Sequence, residues 1–596
     1  MTAEFSVGEI PFSRAGSWLG LSPVLGATRR ADDVHVVSHR HGLHPVLALV
    51  PERDGHRAAT DVSADPAVLT WSSPEGRITA AFADAGTLRI AGTGLGMSII
   101  AAEPDLTPFT GPYFFADPSG AAVFTFYETG NRLRVTLLSG QWTHTGEQEL
   151  GTARRGVTVG ADGGPWEVAL EETTTGAAPY TSTVDFRRAA ASAHGDFTAF
   201  ADAVAPWRNH STPAADLACY VLWSATVAPA GFLARPAVLM SKHWMNKVWS
   251  WDHCFTALAL APGAPELAWN QYQLPFDHQD GLGALPDSVT HAEVLRNFVK
   301  PPIHGWALAH LRSRLPGGVP DPALAYRQLA AWTSFWLDHR RAPGQRLPYY
   351  EHGNDSGWDN ATVFASERLL VTADLAAFLV LQLKELAALA PDAGDTTTDW
   401  GQRADTLLAA LLAELWDGSS FRSRSVRTGT SQRGSSLLDL MPIVLGEHLP
   451  RDVFERLCAR VAEHLTPVGL ATELPTSPHY EPDGYWRGPV WAPVTVLVED
   501  GLRRGGATDL ADEVSSRFRR TCEDHGFAEN FDALTGAGLR DRAYTWTAGA
   551  YLLLSEAAQH RHGATTGAAA QPSRSSTKVC STRSNGPSGP SRRSRR

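Results

Sequence analysis

Three loop segments bring carboxylates and aromatic rings together: Lys247-Val-Trp-Ser-Trp-Asp-His253, Asn354-Asp-Ser-Gly-Trp-Asp-Asn360 and Phe527-Ala-Glu-Asn-Phe-Asp-Ala-Leu-Thr-Gly536. These residue types suit a sugar, whose hydroxyls need acceptors and whose flat apolar faces stack on rings. Breaking a glycosidic bond takes one protonated carboxyl at the leaving oxygen and a second carboxylate that attacks or activates water. In the first segment Trp249 and Trp251 flank a sugar-sized platform, and Asp252 could accept two hydroxyl hydrogen bonds. The plainer role for Asp252 is to cap the apolar helix that follows. In the second segment Asp355 and Asp359 stand four apart with Gly357 between them, a turn that can direct one carboxyl inward. Taken bare, the same residues are ordinary turn chemistry. In the third, Glu529 lies between aromatics, where burial would raise its pKa.

Other chemistries lack their signatures. The sequence has no GxSxG, HExxH or Walker loop, and its 22 His are dispersed. The five Cys (219, 254, 458, 522 and 580) have no short spacing, so neither a zinc site nor a disulfide framework is expected. No cofactor or metal is read from the sequence. Gly92-Thr-Gly-Leu-Gly96 has the wrong spacing for a dinucleotide loop, and no helical pattern follows it. The net charge of −11 includes seven Lys or Arg and no acid in residues 563–596, so the rest of the chain carries −18. An acidic body excludes nucleic acid and anionic membrane as natural partners and leaves a small carbohydrate. The 19 Trp agree with a carbohydrate site, although helix packing absorbs Trp as well. Residues 1–12 lack the pattern of a signal peptide, and no apolar run approaches a membrane span, so a cytoplasmic enzyme is expected. Oligomeric state is left open.

The elements that must hold these residues fall into two textures. Residues 1–190 read as strands, with short alternating or β-branched runs at 33–38, 46–50, 77–82, 87–91, 122–127, 132–138 and 166–170. Strands at this spacing without intervening helices predict an antiparallel β-sandwich. After His194 amphipathic helices follow one another to about Gln559. Leu375, Phe378, Leu379, Leu383 and Leu386 share one face, Leu407, Leu408, Leu411, Leu412 and Leu415 another, and Leu324, Leu329, Trp332 and Trp336 a third. About a dozen such segments without a fixed-period repeat suit a closed barrel of six inner and six outer helices over residues 195–562. The long loops, Ser241–Asp252 and Arg346–Asn360 among them, would then gather at one rim. The Ser-, Arg-, Pro- and Gly-rich residues 563–596 have almost nothing to bury and read as a disordered basic tail.

Ser356-Gly-Trp-Asp-Asn360, Tyr485-Trp-Arg-Gly-Pro-Val-Trp491 and Glu529-Asn-Phe-Asp-Ala-Leu-Thr-Gly536 occur in the order found in glycoside hydrolase family 63. The likeness is to its bacterial mannosylglycerate-hydrolase-like branch, with a more distant similarity to the trehalases of family 37. Val248-Trp-Ser-Trp-Asp252 and Pro301-Pro-Ile-His-Gly-Trp306 also resemble that branch, and the resemblance spans roughly residues 235–560. It implies an (α/α)6 barrel, an all-α catalytic domain behind the β-sandwich, and hydrolysis with inversion. It places the general acid on Asp359 and the general base on Glu529. It places Trp249, Trp251 and Asp252 at the sugar in the innermost subsite, with Gly357, Tyr485, Trp486 and Trp491 lining it. His304 and Trp306 join the substrate-binding set through their segment. Asp355 stands where the family often has Glu, which suggests a different bracing of the loop.

The implied roles set physical demands. Asp359 must hold a proton near neutral pH, so burial or a neighbouring carboxylate should raise its pKa. Glu529 should stand ionised and hold a water across the sugar ring. Arg487 could bind substrate oxygens or keep an acid ionised; its alternative is a loop salt bridge. The expected activity is that of an inverting α-glycosidase acting on a small α-glucoside or α-mannoside. Glucosylglycerate, mannosylglycerate, trehalose-like disaccharides and short α-glucans all fit. An (α/α)6 phosphorylase would need no base, and a binding protein with a dead site would need neither acid; both acids are present.

Overall fold

The computed structural model describes residues 4–569 except 25–29, 41–43, 103–111, 128, 150–152, 179 and 183. The described part of the first 172 residues forms fifteen strands: β1 (Leu19–Val24), β2 (Arg30–Ser38), β3 (His44–Arg53), β4 (His56–Arg57), β5 (Asp61–Ala64), β6 (Leu69–Ser73), β7 (Gly76–Asp84), β8 (Thr87–Thr93), β9 (Gly96–Ala101), β10 (Pro112–Ala116), β11 (Ala122–Phe126), β12 (Arg132–Ser139), β13 (Trp142–Thr145), β14 (Gly156–Val159) and β15 (Trp166–Glu172). One sheet runs β1-β2-β3-β9-β14-β13, with β4 paired to β3; the other runs β10-β11-β12-β15-β8-β7-β6-β5. All these pairings are antiparallel. Alternate residues of the two sheets meet in one core, Val36, Leu47, Leu49 and Ile99 from the first and Ile78, Leu88, Ile90 and Phe124 from the second. The Gly-rich run at 92–96 turns β8 into β9. Gly92 sits opposite Trp166, and a Cβ there would stand 2.5 Å from the indole, so its glycine serves packing.

Among the described residues twelve α-helices follow: α1 (Phe186–Val204), α2 (Ala215–Ala225), α3 (Asp252–Leu260), α4 (Pro265–Gln273), α5 (His304–Arg314), α6 (Pro322–Ser334), α7 (Ala373–Leu389), α8 (Trp400–Leu415), α9 (Arg451–Glu463), α10 (Ala492–Arg504), α11 (Thr508–His525) and α12 (Thr545–Ala569). α1 starts eight residues before the change of texture at His194, because the Asp185 side chain accepts from Arg188 N and caps it there. The apolar faces read from periodicity are buried: Leu375, Phe378, Leu379, Leu383 and Leu386 on α7, and Leu407, Leu411 and Leu415 on α8. α12 continues to Ala569, beyond the tail boundary expected at Gly563; the rest of that tail, 570–596, lies outside the described residues.

Successive helices pack in an alternating order. α3 lies against α4 and α5, α5 against α7, and α7 against α6, α8 and the helical segment Leu437–His448. That segment packs on α9 and α10, and α10 on α11. Gly549 of α12 comes against Ala259 and Phe255 of α3. Residues 1–556 form one compact unit whose continuous apolar core joins the β-sheets to the helices. Among the described residues no helix is long and apolar enough to cross a membrane.

Candidate active site

The three acid and aromatic segments meet near the starts of α3 and α10. Trp251 and Asp252 stand at the start of α3, and Trp249 is held by a short strand pairing with Ser288. Residues 353–356 form a 3-10 turn that ends on Gly357 in the left-handed region, φ 75°. This glycine is required twice over, because a Cβ at that position would lie 2.5 Å from the Trp251 ring. Asn360 then joins the second segment to the Tyr485 loop: its amide donates to Gly484 O at 3.0 Å and accepts from Trp486 N at 3.0 Å. Val490 and Phe531 exchange backbone hydrogen bonds of 2.8 and 3.1 Å, which attaches the Glu529 segment to the same loop.

Rings form the floor between these loops. Trp486 stacks on Trp491 at 4.0 Å and 5°, and Trp358 meets Trp486 at 4.8 Å. Trp251 and Trp491 both contact Trp546, at 5.8 and 5.4 Å. Tyr485 adopts φ 63° and Arg540 φ 61°, and the two touch, the guanidinium 4.9 Å from the phenol ring. Two side-chain-bearing residues in the left-handed region at one contact are costly, so the surrounding packing must enforce them. Arg540 is held by Asn530 Oδ1 at 3.0 Å.

The carboxylates converge on this floor. Glu529 is 1% exposed, and neither of its oxygens accepts a hydrogen bond among the described residues; nor do the buried atoms Asp252 Oδ2 and Asp359 Oδ1, the latter on a side chain that is 31% exposed and 3.9 Å from Lys300 Nζ. Four such acceptor atoms in one place form a surface built for polar groups from outside the chain. Burial pushes Glu529 up to about 8, with Asp541 adding to the rise while the Arg540 charge opposes it. Asp359 is raised too, chiefly by burial, against the pull of Lys300. Asp252 is raised well above the carboxylate range by burial, and its charge is coupled to Lys300, Asp287 and Asp359. Glu529, Asp359 and Asp252 all act on the Tyr485 phenol, which therefore faces all three. Burial thus favours the protonated form of Glu529 in the free protein, against the ionised state that the role of base requires.

The structure brings Trp251, Asp252, Gly357, Asp359, Tyr485, Trp486, Trp491 and Glu529 together, while Trp249 packs partly buried against the core two residues before Trp251. It does not bring His304 or Trp306 to them. His304 Nδ1 accepts from Trp332 Nε1 at 3.2 Å, which leaves Nε2 as the donor to Ser250 O at 2.9 Å, so both ring nitrogens are used inside the core. The Trp306 indole donates to Asp500 at 2.9 Å and lines a separate cavity with His310 and Arg504. Arg487 donates to Asn360 O at 2.8 Å and faces Glu481 at 3.7 Å, which is the loop-bracing alternative. Asp355 is the brace of the acid loop, accepting from Arg340 Nη1 and Glu351 N at 2.9 Å and from Val299 N at 3.2 Å.

Sequence reasoning passed over Lys300, Asp287, Arg540, Asp541 and Trp546. Lys300 is buried between Asp287 and Asp359, 3.0 and 3.9 Å away. Its only signal was a Lys in the apolar run Phe298-Val-Lys-Pro-Pro302. Asp541 accepts or shares a proton with His243 at 3.1 Å, and its carbonyl accepts from Glu529 N at 2.7 Å, which fixes the backbone of the acid. Among the described residues no group of three or more His, Cys, Asp or Glu side chains could hold a metal ion.

Comparison with known proteins gives consistent likenesses. A family model described as the mannosylglycerate hydrolase MGH1-like glycoside hydrolase domain matches residues 245–547. A mannosylglycerate hydrolase of Rubrobacter radiotolerans is 24% identical over 410 residues, 53% of this chain and 92% of the relative. A glucosylglycerate hydrolase of Mycolicibacterium hassiacum is 23% identical over 425 residues, 54% of this chain and 94% of the relative. The crystal structure of a family 63 mannosylglycerate hydrolase from Thermus thermophilus with glucose shares the fold, with a TM-score of 0.50 and 22% identity over 57% of this chain and 98% of that one.

Proposed function

The chain belongs to the mannosylglycerate hydrolase MGH1-like glycoside hydrolases, and from that premise we propose that it hydrolyses a small α-glucoside or α-mannoside with inversion at the anomeric carbon. Mannosylglycerate and glucosylglycerate, the substrates in its relatives' names, head the candidates; trehalose-like disaccharides and short α-glucans share the same chemistry. The helices are read as an (α/α)6 barrel: α3, α5, α7, Leu437–His448, α10 and α12 form the inner ring, with α2, α4, α6, α8, α9 and α11 outside.

In this reading Asp359 is the general acid and Glu529 the general base. The sugar lies on the Trp251, Trp486 and Trp491 floor, with Asp252 accepting from its hydroxyls. Asp359 gives its proton to the leaving oxygen while Glu529 takes one from a water on the opposite face of the ring. Burial raises both carboxyls and so favours their protonated forms in the free protein; the catalytic state of this reading is the one in which Asp359 holds a proton and Glu529 is ionised. The observation that carries the reading is the convergence of four unpartnered carboxylate oxygens on one aromatic floor.

The test is a screen of purified protein against those α-glycosides, with chromatography of the products. Release of free hexose by the wild type and not by Asp359→Asn supports the reading. Sugar 1-phosphate formed only with added phosphate, or binding without turnover, would contradict it.

A further inference from the structure

We propose that Lys300 is a positioning residue for proton transfer: an ammonium held between Asp287 and Asp359 that stabilises the carboxylate left on Asp359 when its proton departs. The proposal rests on the reading of Asp359 as the acid. Lys300 is 6% exposed, and its Nζ lies 3.0 Å from Asp287 Oδ1 and 3.9 Å from Asp359 Oδ1 and donates a hydrogen bond of 3.0 Å to Asn354 O on the acid's own loop. An isolated ammonium so deeply buried would lose its proton; here the flanking acids raise its pKa in spite of burial.

The two distances rank the partners. Asp287 holds the charge while Asp359 is protonated and neutral. Its backbone is fixed on both sides, N–H donating to Leu295 O at 2.9 Å and C=O accepting from Ser250 N at 3.3 Å. In the chemical step the O–H bond of Asp359 breaks and an O–H bond forms on the departing oxygen, which keeps the electron pair of the broken C–O bond. Negative charge therefore appears on Asp359 at the moment of transfer, beside a fixed ammonium that needs no reorganisation. Asp287 has the opposite duty: it offsets Lys300 so that Asp359 can hold a proton at all. Among the described residues three other charged or titratable groups face Asp359, namely His352 from its own loop, Asp252 from the start of α3 and the Tyr485 phenol. None of them is an ammonium in contact.

The experiment measures kcat/KM against pH for the wild type, Lys300→Met, Lys300→Arg, Asp287→Asn and Asp359→Asn. Each is assayed on the α-glycoside turned over in the screen above and on the matching α-glycosyl fluoride, whose leaving group needs no proton. Lys300→Met should lose about tenfold or more on the glycoside, a pKa unit's worth of charge stabilisation, and change little on the fluoride. Lys300→Arg should recover most of the loss. The limb on which activity falls with rising pH should move up in Lys300→Met and down in Asp287→Asn, each by about one unit. General damage to the fold cannot move one limb in two directions, and Asp287→Asn and Lys300→Arg carry the test if the Met variant does not fold. Equal losses on both substrates, or limbs that stay put or move together, would overturn the proposal. Asp359→Asn separates the two layers. If it keeps glycoside turnover, the acid assignment itself fails; if it is inactive on the glycoside while Lys300→Met behaves as wild type, only the role of Lys300 fails.

Discussion

Asp359 and Glu529 are both carboxyls that burial raises, so the difference in their roles must come from what surrounds them. Asp359 has an ammonium 3.9 Å away, whereas Glu529 has two unpartnered oxygens and Asp541 nearby. Asp359→Asn should lose roughly 10²- to 10⁴-fold in turnover of substrates with poor leaving groups, because an amide cannot donate the proton. Glu529→Gln should lose hydrolysis by a similar factor. In the wild type kcat/KM should rise with pH up to about 8, as Glu529 gives up its proton and becomes a base. Stability should move the other way. A carboxyl raised in the folded state keeps its proton after the unfolded chain has released it, so stability falls as pH climbs from the unfolded value toward 8. Glu529→Gln removes that cost: its melting temperature should match the wild type near pH 4 and exceed it by a growing margin toward pH 8. Equal melting temperatures at pH 4 and pH 8 would show that Glu529 is not raised. Asp359, Glu529 and Trp251 could be singled out from the sequence because their loops carry recurring motifs. Lys300 and Asp541 were not, because a single polar residue among apolar neighbours has no pattern until the chain folds around it.

The loops owe their positions to a few element-level contacts. Gly357 ends the 353–356 turn in the left-handed region with Trp251 against its Cα. Gly357→Ala should cost about 1–2 kcal/mol for the backbone alone, with more from overlap on the indole, and should depress both melting temperature and kcat. A variant with wild-type values would show that the turn relaxes freely. Asp355 joins the same loop to Arg340 and to the residue before Lys300. Asp355→Asn leaves the Arg340 guanidinium with only the half-exposed Glu351, 3.1 Å away, so the loss should fall below the roughly 3–5 kcal/mol of a fully orphaned buried pair, at about 1–3 kcal/mol. Unfolding in denaturant should show a loss of that order, and no measurable change would remove Asp355 as the brace. The sequence had marked Asp355 as one of two acids in the turn and, standing where the family often has Glu, as a changed brace of the loop; what it braces depends on Val299 and Arg340, which lie outside the motif. Helix periodicity exposed α6, α7 and α8, since three or four turns give an apolar stripe room to repeat. Short strands such as β5, β13 and β14, four residues each, give alternation too little length, and they went unread. His304 and Trp306 were grouped with the site because their segment resembles the family's, but both face helix packing partners.

At the scale of the molecule the β-sheets and helices are not independent supports. The N-terminal segment reaches the loops beside the site: Arg542 Nε donates to Glu9 at 2.6 Å, and the buried Lys242 donates to Ser13 Oγ and Ser17 O at 3.0 and 2.7 Å. Lys242 precedes His243, the partner of Asp541. Deleting residues 1–172 should therefore leave a chain that aggregates or melts well below the full length and turns over no substrate. A stable, active helical fragment would show that the sheets are dispensable. The two textures were visible in the sequence, strands before helices, but this interlock was not, because its partners lie more than 200 residues apart. Stereochemistry at the anomeric carbon is read directly by one measurement: proton NMR of the hexose released from an α-glycoside, recorded before mutarotation. With Asp359 as acid and Glu529 as base, water attacks from the face opposite the leaving group and the β-anomer appears first. First appearance of the α-anomer would contradict inversion and with it Glu529 as the base.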